Sequence, residues 1–273
     1  MCAGSATIPI CRRFINLDKT IIERREFLER LMFSLCSLTF PGLLGVKEKN
    51  TEKSLAYGKN YDPKEHSWGM GIRVDRCIGC GRCADACKKE NDVPSLPFYF
   101  RTWVERYIVY DGGEVIVDSP NGGVDGFKQH PNEKRIVRSF FVPKLCNQCA
   151  KPPCVQVCPV GATFKTDDGV ILVDSKYCIG CEYCIQACPY GARFLHPKTR
   201  TAEKCTFCYH RIVKGLLPAC VEVCPTQARV FGDRTGRASP LMRFMRMHKI
   251  GVLKPYLNTE PAVFYAGLDM EVK

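Results

Sequence analysis

The chain has 273 residues, 45% hydrophobic and 25% charged, enough for one large or two modest packed domains and not the composition of a disordered protein. Its formal charge of +12 would suit nucleic acid or an anionic membrane surface, but no nucleic-acid-binding motif accompanies that charge. Nineteen cysteines exceed what disulfide stabilisation of such a chain requires, so their spacing must decide what they do.

In chain order, the first 22 residues carry no interpretable pattern. Glu23-Arg24-Arg25-Glu26-Phe27-Leu28-Glu29 then precedes an uncharged run over 31–46. Paired arginines, Phe-Leu and a moderately apolar stretch resemble a twin-arginine export signal, and an amphipathic surface helix containing Arg-Arg would read the same way. No Ala-x-Ala cleavage site follows. The run is too short and too rich in Ser, Thr, Pro and Gly for a transmembrane helix, and no other stretch approaches one, so membrane contact is expected through a partner. Residues 47–66 read as a polar, Lys-rich linker.

Short β patterns separate the cysteine groups. Segments 100–110 and 114–117 flank Asp111-Gly112-Gly113, and 162–166 and 170–174 flank Asp167-Asp168-Gly169; each pair predicts a hairpin. Between these hairpins, 119–135 reads as a long loop, a solvated insertion or a docking surface.

Four cysteine groups punctuate the chain. They are Cys77, Cys80, Cys83 and Cys87; Cys146, Cys149, Cys154 and Cys158; Cys178, Cys181, Cys184 and Cys188; and Cys205, Cys208, Cys220 and Cys224. The first and third have the form C-x2-C-x2-C-x3-C. Three thiolates so spaced can wrap three corners of an iron–sulfur cubane, while the fourth, one helical turn on, ligates a neighbouring cluster. Pro159, Pro189 and Pro225 follow the last cysteine of the second, third and fourth groups and end each short helix; Lys88 stands there in the first.

Zinc would use two separated Cys pairs per ion and leave the third cysteine of each triplet without a role. Disulfides would not repeat the same four-residue group four times. The chemistry expected is therefore four 4Fe–4S clusters. Sixteen thiolates and four oxidised cores of about +2 each would bring the net charge down to about +4. Cys2, Cys11 and Cys36 lie outside the groups and read as stray thiols. His130, His196 and His210 read as surface or supporting groups rather than ligands. Lys204 and Arg211 flank the fourth group, where each could raise a local cluster potential; taken alone, each reads as solvated surface charge.

The wide fourth group and the run from Lys204 to Asp233, KCTFCYHRIVKGLLPACVEVCPTQARVFGD, resemble the four-cluster iron–sulfur subunits of the dimethyl-sulfoxide and polysulfide reductase families. The resemblance runs from about Trp68 to the C-terminus. It implies an α+β fold of two interleaved bacterial-ferredoxin-like units, with short helices, β-hairpins and a C-terminal extension. After the N-terminal segment (1–46) and linker (47–66) come an outer unit from 67–100 and 200–235, a hairpin and loop insertion (101–142), an inner unit (143–199) and a tail (236–273) lying over the core.

Spacing supports a three-plus-one exchange; which groups exchange is implied only by the resemblance. It gives one cluster Cys77, Cys80, Cys83 and Cys224, and another Cys205, Cys208, Cys220 and Cys87. A third takes Cys146, Cys149, Cys154 and Cys188, and the fourth Cys178, Cys181, Cys184 and Cys158. Some relatives lack the second cysteine of the third group and hold three irons; here Cys181 fills it. The resemblance also implies an electron-transfer subunit without a substrate site, between a molybdopterin catalytic subunit, or a multihaem cytochrome, and a quinone-reactive membrane subunit. Its expected place is the periplasmic face of the membrane, reached already folded; a free cytoplasmic polyferredoxin is the alternative.

Overall fold

The computed structural model describes residues 61–96, 98–129 and 135–272. The arginine-pair segment, most of the linker, Cys2, Cys11, Cys36 and His130 lie outside the described residues.

Strand β1 (Trp68–Arg73) leads into the first cysteine group, and helix α1 (Arg82–Glu90) carries its last two thiols. The predicted hairpin follows as β2 (Thr102–Tyr110) and β3 (Val115–Asp118), with Tyr107 opposite Val117. The sequence pattern predicts no third strand here. The structure adds β4 (Ile136–Leu145) on the other side of β2, running directly into the second group. Pro143 inside this segment speaks against a central strand, and β4 is an edge strand, where a missing N–H costs no ladder bond.

Two small antiparallel pairs alternate with one-turn helices through the middle of the chain. After α2 (Pro153–Gln156) comes the second predicted hairpin, β5 (Thr163–Lys165) with β6 (Ile171–Val173). Asp168 in its turn is fully buried and accepts hydrogen bonds from the hydroxyls of Tyr209 at 2.9 Å, Tyr61 and Thr166, tying this turn to the fourth cysteine group. Helix α3 (Tyr183–Gln186) precedes β7 (Arg193–Leu195) and β8 (Ala202–Lys204), and α4 (Tyr209–Ile212) and α5 (Ala219–Glu222) frame the gap within the fourth group.

Strand β9 (Arg229–Asp233) returns antiparallel to β1, so the strand before the first group clasps the strand after the fourth. Helix α6 (Pro240–Met247), capped by Ser239 accepting from the Met242 N–H, lays Leu241 and Phe244 on this pair. Gly69, Gly71 and Gly232 make the approach possible, since a Cβ at Gly71 would sit 2.5 Å from the Phe244 ring. The tail then enters the sheet. Strand β10 (Ile250–Gly251) pairs antiparallel with β11 (Val263–Ala266), which in turn pairs parallel with β1, giving the order β10–β11–β1–β9. All four residues of β11 are buried, as an uninterrupted apolar run in an inner strand should be. Packing of α1 on α5, and of α2 on α3, gives the two interleaved ferredoxin-like halves of an α+β fold.

Candidate metal centres

All sixteen cysteines of the four groups are free thiols, which removes the disulfide alternative. In the first group Gly79 and Gly81 take left-handed φ of 68° and 67°, turning the chain so that Cys77, Cys80 and Cys83 face one volume. A Cβ at Gly81 would lie 2.1 Å from the Gly123 carbonyl oxygen, and one at Gly79 would meet the Phe141 ring. The 119–129 stretch is thus no purely solvated insertion; its backbone covers the first cysteine loop. We expect Gly81→Ala to displace that contact and lose the first group's metal, whereas Gly161→Ala, whose Cβ meets nothing within 4 Å, keeps its full iron complement; metal analysis of the two variants separates them.

One cavity is lined by Cys77, Cys80, Cys83 and Cys224 together with Arg229. Another is lined by Cys146, Cys149, Cys154 and Cys188 together with Asn147 and Arg193. Each draws three thiols from one group and one from a distant group. Cys87 lies in electrostatic reach of Cys205, Cys220 and Cys208, and Asn91 Nδ2 donates to Cys87 Sγ at 3.5 Å and Cys208 Sγ at 3.6 Å. Cys178 and Cys184 share a packed cluster with Cys154, Ile171 and Ala202; Cys158 accepts the Thr163 N–H at 3.5 Å. Among the described residues no three His, Cys, Asp or Glu side chains converge as the ligands of a single ion would. The thiols surround volumes rather than points.

Burial works against the thiolate at several of these cysteines. Burial pushes the Cys77 thiol up to about 11 and Cys149, Cys205 and Cys220 to about 12. At Cys158 and Cys224 burial also raises the thiol, but it is outweighed at Cys158 by the N–H groups of Thr163, Val160 and Ala162, and at Cys224 by Thr226 and the N–H groups of Ala228 and Arg229; both end below the usual range. Arg229, 2% exposed, donates to Cys83 Sγ at 3.3 Å, Cys220 Sγ at 3.8 Å and Thr102 Oγ1 at 2.8 Å. Arg193, 6% exposed, donates to Cys154 Sγ at 3.1 Å and Thr163 Oγ1 at 3.4 Å. Guanidinium groups held this deep need anions, and sulfur is what faces them.

The expectation for Lys204 needs correction. Its side chain is 1% exposed, and its ammonium donates to the carbonyls of Ile171 and Cys205, the latter at 2.7 Å. A strand residue alternating inward on β8 cannot be a solvated charge. Arg211 is closer to expectation: it pairs with Glu90 at 2.9 Å and with Glu222 at the rim of the fourth group. His210 binds Glu90 at 2.7 Å, and His196 is buried as the acceptor of the Lys198 and Thr199 N–H groups in the β7–β8 turn.

Sequence reasoning missed Arg193, Arg229 and Asn147. The arginines had a signal: Cys-Pro-x-x-Ala-Arg recurs at 188–193 and 224–229, with Cys-Pro-x-x-Ala-Thr at 158–163. In each copy the alanine is at most 2% exposed, leaving room for the turn that aims the next side chain inward. Asn147 is fully buried, lines the second cavity, and neither Oδ1 nor Nδ2 has a protein partner. An orphaned amide beside four thiols is costly unless it donates to a further acceptor there, and the sulfides of an iron–sulfur cluster are such acceptors. The residues present fit that cofactor.

Two family models, each described as a 4Fe-4S dicluster domain, match residues 76–162 and 137–234. The B subunit of tetrathionate reductase from Salmonella typhimurium is 39% identical over 93% of this chain and 91% of its own length. A putative dimethyl sulfoxide reductase iron-sulfur subunit from Halobacterium salinarum is 36% identical over 75% of this chain and 80% of its own. The B component of polysulfide reductase from Wolinella succinogenes is 35% identical over 72% of this chain and 92% of its own.

Proposed function

Since this protein belongs to the family of iron–sulfur electron-transfer subunits of respiratory reductases, with four 4Fe–4S clusters in two dicluster domains, we propose that it relays electrons between a molybdopterin catalytic subunit and a quinone-reactive membrane subunit. Clusters with four thiolate ligands supply reversible one-electron transfer and offer no vacant position to a substrate, so the chain acts without a substrate site of its own. The ligand sets proposed are Cys77, Cys80, Cys83 and Cys224; Cys87, Cys205, Cys208 and Cys220; Cys146, Cys149, Cys154 and Cys188; and Cys158, Cys178, Cys181 and Cys184. The observation that carries this reading is the recruitment of one distant thiol, Cys224 or Cys188, into a cavity made by another group's triplet.

The protein's contribution is burial, charge and surface. Ile171, Ala202, Val155 and Ile185 pack between the inner thiols and keep water out. Cys80 and Cys181 alone among the sixteen are exposed, each beside an exposed isoleucine of a Cys-Ile-Gly-Cys loop, Ile78 and Ile179. These two loops are the proposed entry and exit surfaces, one for each partner. No helix among the described residues is long and apolar enough to cross a membrane. The paired arginines at 24–25 support export to the periplasmic face after folding, which a reporter fused behind residue 66 would test.

Anaerobic purification from native membranes tests the whole reading. The expected preparation contains about four irons and four acid-labile sulfides for each of four clusters. It shows several paramagnetic signals on reduction, and co-purifies with a molybdopterin protein and a polytopic membrane protein. A multihaem cytochrome in place of the molybdopterin protein would replace the catalytic partner and leave the relay. Zinc without iron or labile sulfide would end the proposal.

A further inference from the structure

Four clusters in series have three junctions, and the described core holds three cations that face cysteines of more than one ligand set. Arg229 reaches Cys83 at 3.3 Å and Cys220 at 3.8 Å, thiols of two different proposed sets within the outer unit. Arg193 reaches Cys154 at 3.1 Å and, at 3.4 Å, Thr163, whose N–H lies on Cys158; these cysteines belong to the two sets of the inner unit. Lys204 stands where the units meet. Its ammonium bonds the carbonyl of Cys205, an outer-unit cysteine, and that of Ile171, which lines the inner cavity of Cys146, Cys149, Cys154 and Cys188. Gln148 makes the same crossing, donating to the Cys205 carbonyl at 2.7 Å and accepting the Ile171 N–H at 2.8 Å, so this junction is a built seam.

We propose that Arg229, Lys204 and Arg193 are the junction cations of the relay, each raising most strongly the reduction potentials of the two clusters it separates. The inference rests on the ligand sets proposed above. Reduction adds one negative charge and breaks no bond, so a fixed positive charge beside a cluster favours the reduced form, and burial leaves that attraction weakly screened. Because Coulomb energy falls with distance, the effect is largest at the two flanking clusters. Burial, with Arg193 beside it, lowers the Lys204 ammonium below its ordinary value against the pull of Cys146, Cys205 and Cys154, whereas at Arg193 burial is outweighed by the thiols of Cys154, Cys146 and Cys184, which hold the guanidinium charged. A merely structural role, satisfying buried carbonyls and a threonine hydroxyl, would leave the potentials where they are.

The test is an EPR-monitored redox titration of the intact complex, with iron analysed first, for the wild type and for Lys204→Gln, Arg193→Gln and Arg229→Gln. Each variant should lower two of the four midpoint potentials most, by about tenfold in the reduction equilibrium, about 59 mV for one electron. The overlaps identify the pattern without assigning signals. Lys204→Gln should share one shifted cluster with Arg193→Gln and the other with Arg229→Gln, while the two arginine variants share none. Unchanged potentials at full iron content, or equal shifts in all four, would overturn the proposal. Should a Gln variant load no iron, Lys204→Met, Arg193→Met and Arg229→Met, which remove the charge and keep the length of the side chain, decide: loading with the same paired downward shifts upholds it, and iron loss there as well makes the residue structural and ends it. Low iron in the wild type would refute the ligand sets instead.

Discussion

Alanine at Cys87 and alanine at Cys220 should alter the same EPR signal, although 133 positions separate them, while alanine at Cys83, one helical turn from Cys87, should alter a different one. The expectation follows from α1. A residue four positions on lies one turn further along the helix, so Cys83 and Cys87 cannot both sit on one corner-sharing loop; Cys83 faces the cavity of Cys77, Cys80 and Cys224, and Cys87 faces Cys205, Cys208 and Cys220. Asn91 bridges Cys87 and Cys208 from the end of the same helix. Each variant should lose the relay's continuity and abolish turnover in the complex, with three of four signals intact. Iron content should fall by between about one and about four atoms, according to whether the site keeps three irons. If Cys87→Ala and Cys83→Ala changed one common signal, each group would hold its own cluster and the interleaved assignment would be wrong.

The cysteine groups were legible because cluster ligation is local chemistry: three thiols two residues apart announce themselves whatever surrounds them. The hairpin at Asp111-Gly112-Gly113 was legible for the same reason, its glycines at φ of 105° and 85° supplying the turn. What the sequence could not carry was tertiary. Which triplet receives Cys224 depends on β9 returning to β1, and nothing near Cys224 says so. Lys204 looked like any charged residue beside a motif; only its inward position on β8 and the carbonyls of Ile171 and Cys205 reveal a buried ammonium. β4 was hidden by Pro143, which is tolerated at an edge but reads as a strand breaker. The glycines of the 119–129 loop suggest a solvated segment, whereas Gly122 and Gly123, at φ of 64° and 88°, bend it back over the first cysteine loop.

Tyr265→Ala should destabilise the loaded protein by about 3–5 kcal/mol, the cost of emptying a large, fully buried aromatic site. Val263, Phe264 and Tyr265 are 0%, 9% and 0% exposed, and burying three such side chains contributes about 5–9 kcal/mol as an upper figure, comparable with a domain's whole stability. The tail is therefore a member of the sheet, and truncation before it should prevent folding. The damage should also be directional. The Ala262 N–H donates to the Asn147 carbonyl at 2.8 Å, the carbonyls of Glu260 and Thr259 receive the N–H groups of Ala150 and Lys151 at 2.8 and 3.1 Å, and the Thr259 hydroxyl meets Tyr190 Oη at 2.6 Å. Every one of these bonds holds the backbone around Cys146 and Cys149 or the residue two after Cys188. Loosening β11 should therefore release iron first from the cavity of Cys146, Cys149, Cys154 and Cys188, before the other three. Tyr265→Phe, which loses only the hydroxyl bond to the Pro143 carbonyl at 3.1 Å, should cost about 1–3 kcal/mol and keep all four signals. Anaerobic unfolding of the three proteins, followed by both visible absorbance and EPR, measures the cost and the order together; equal loss of all four signals, or a Tyr265→Ala cost near zero, would mean the strand merely covers the core.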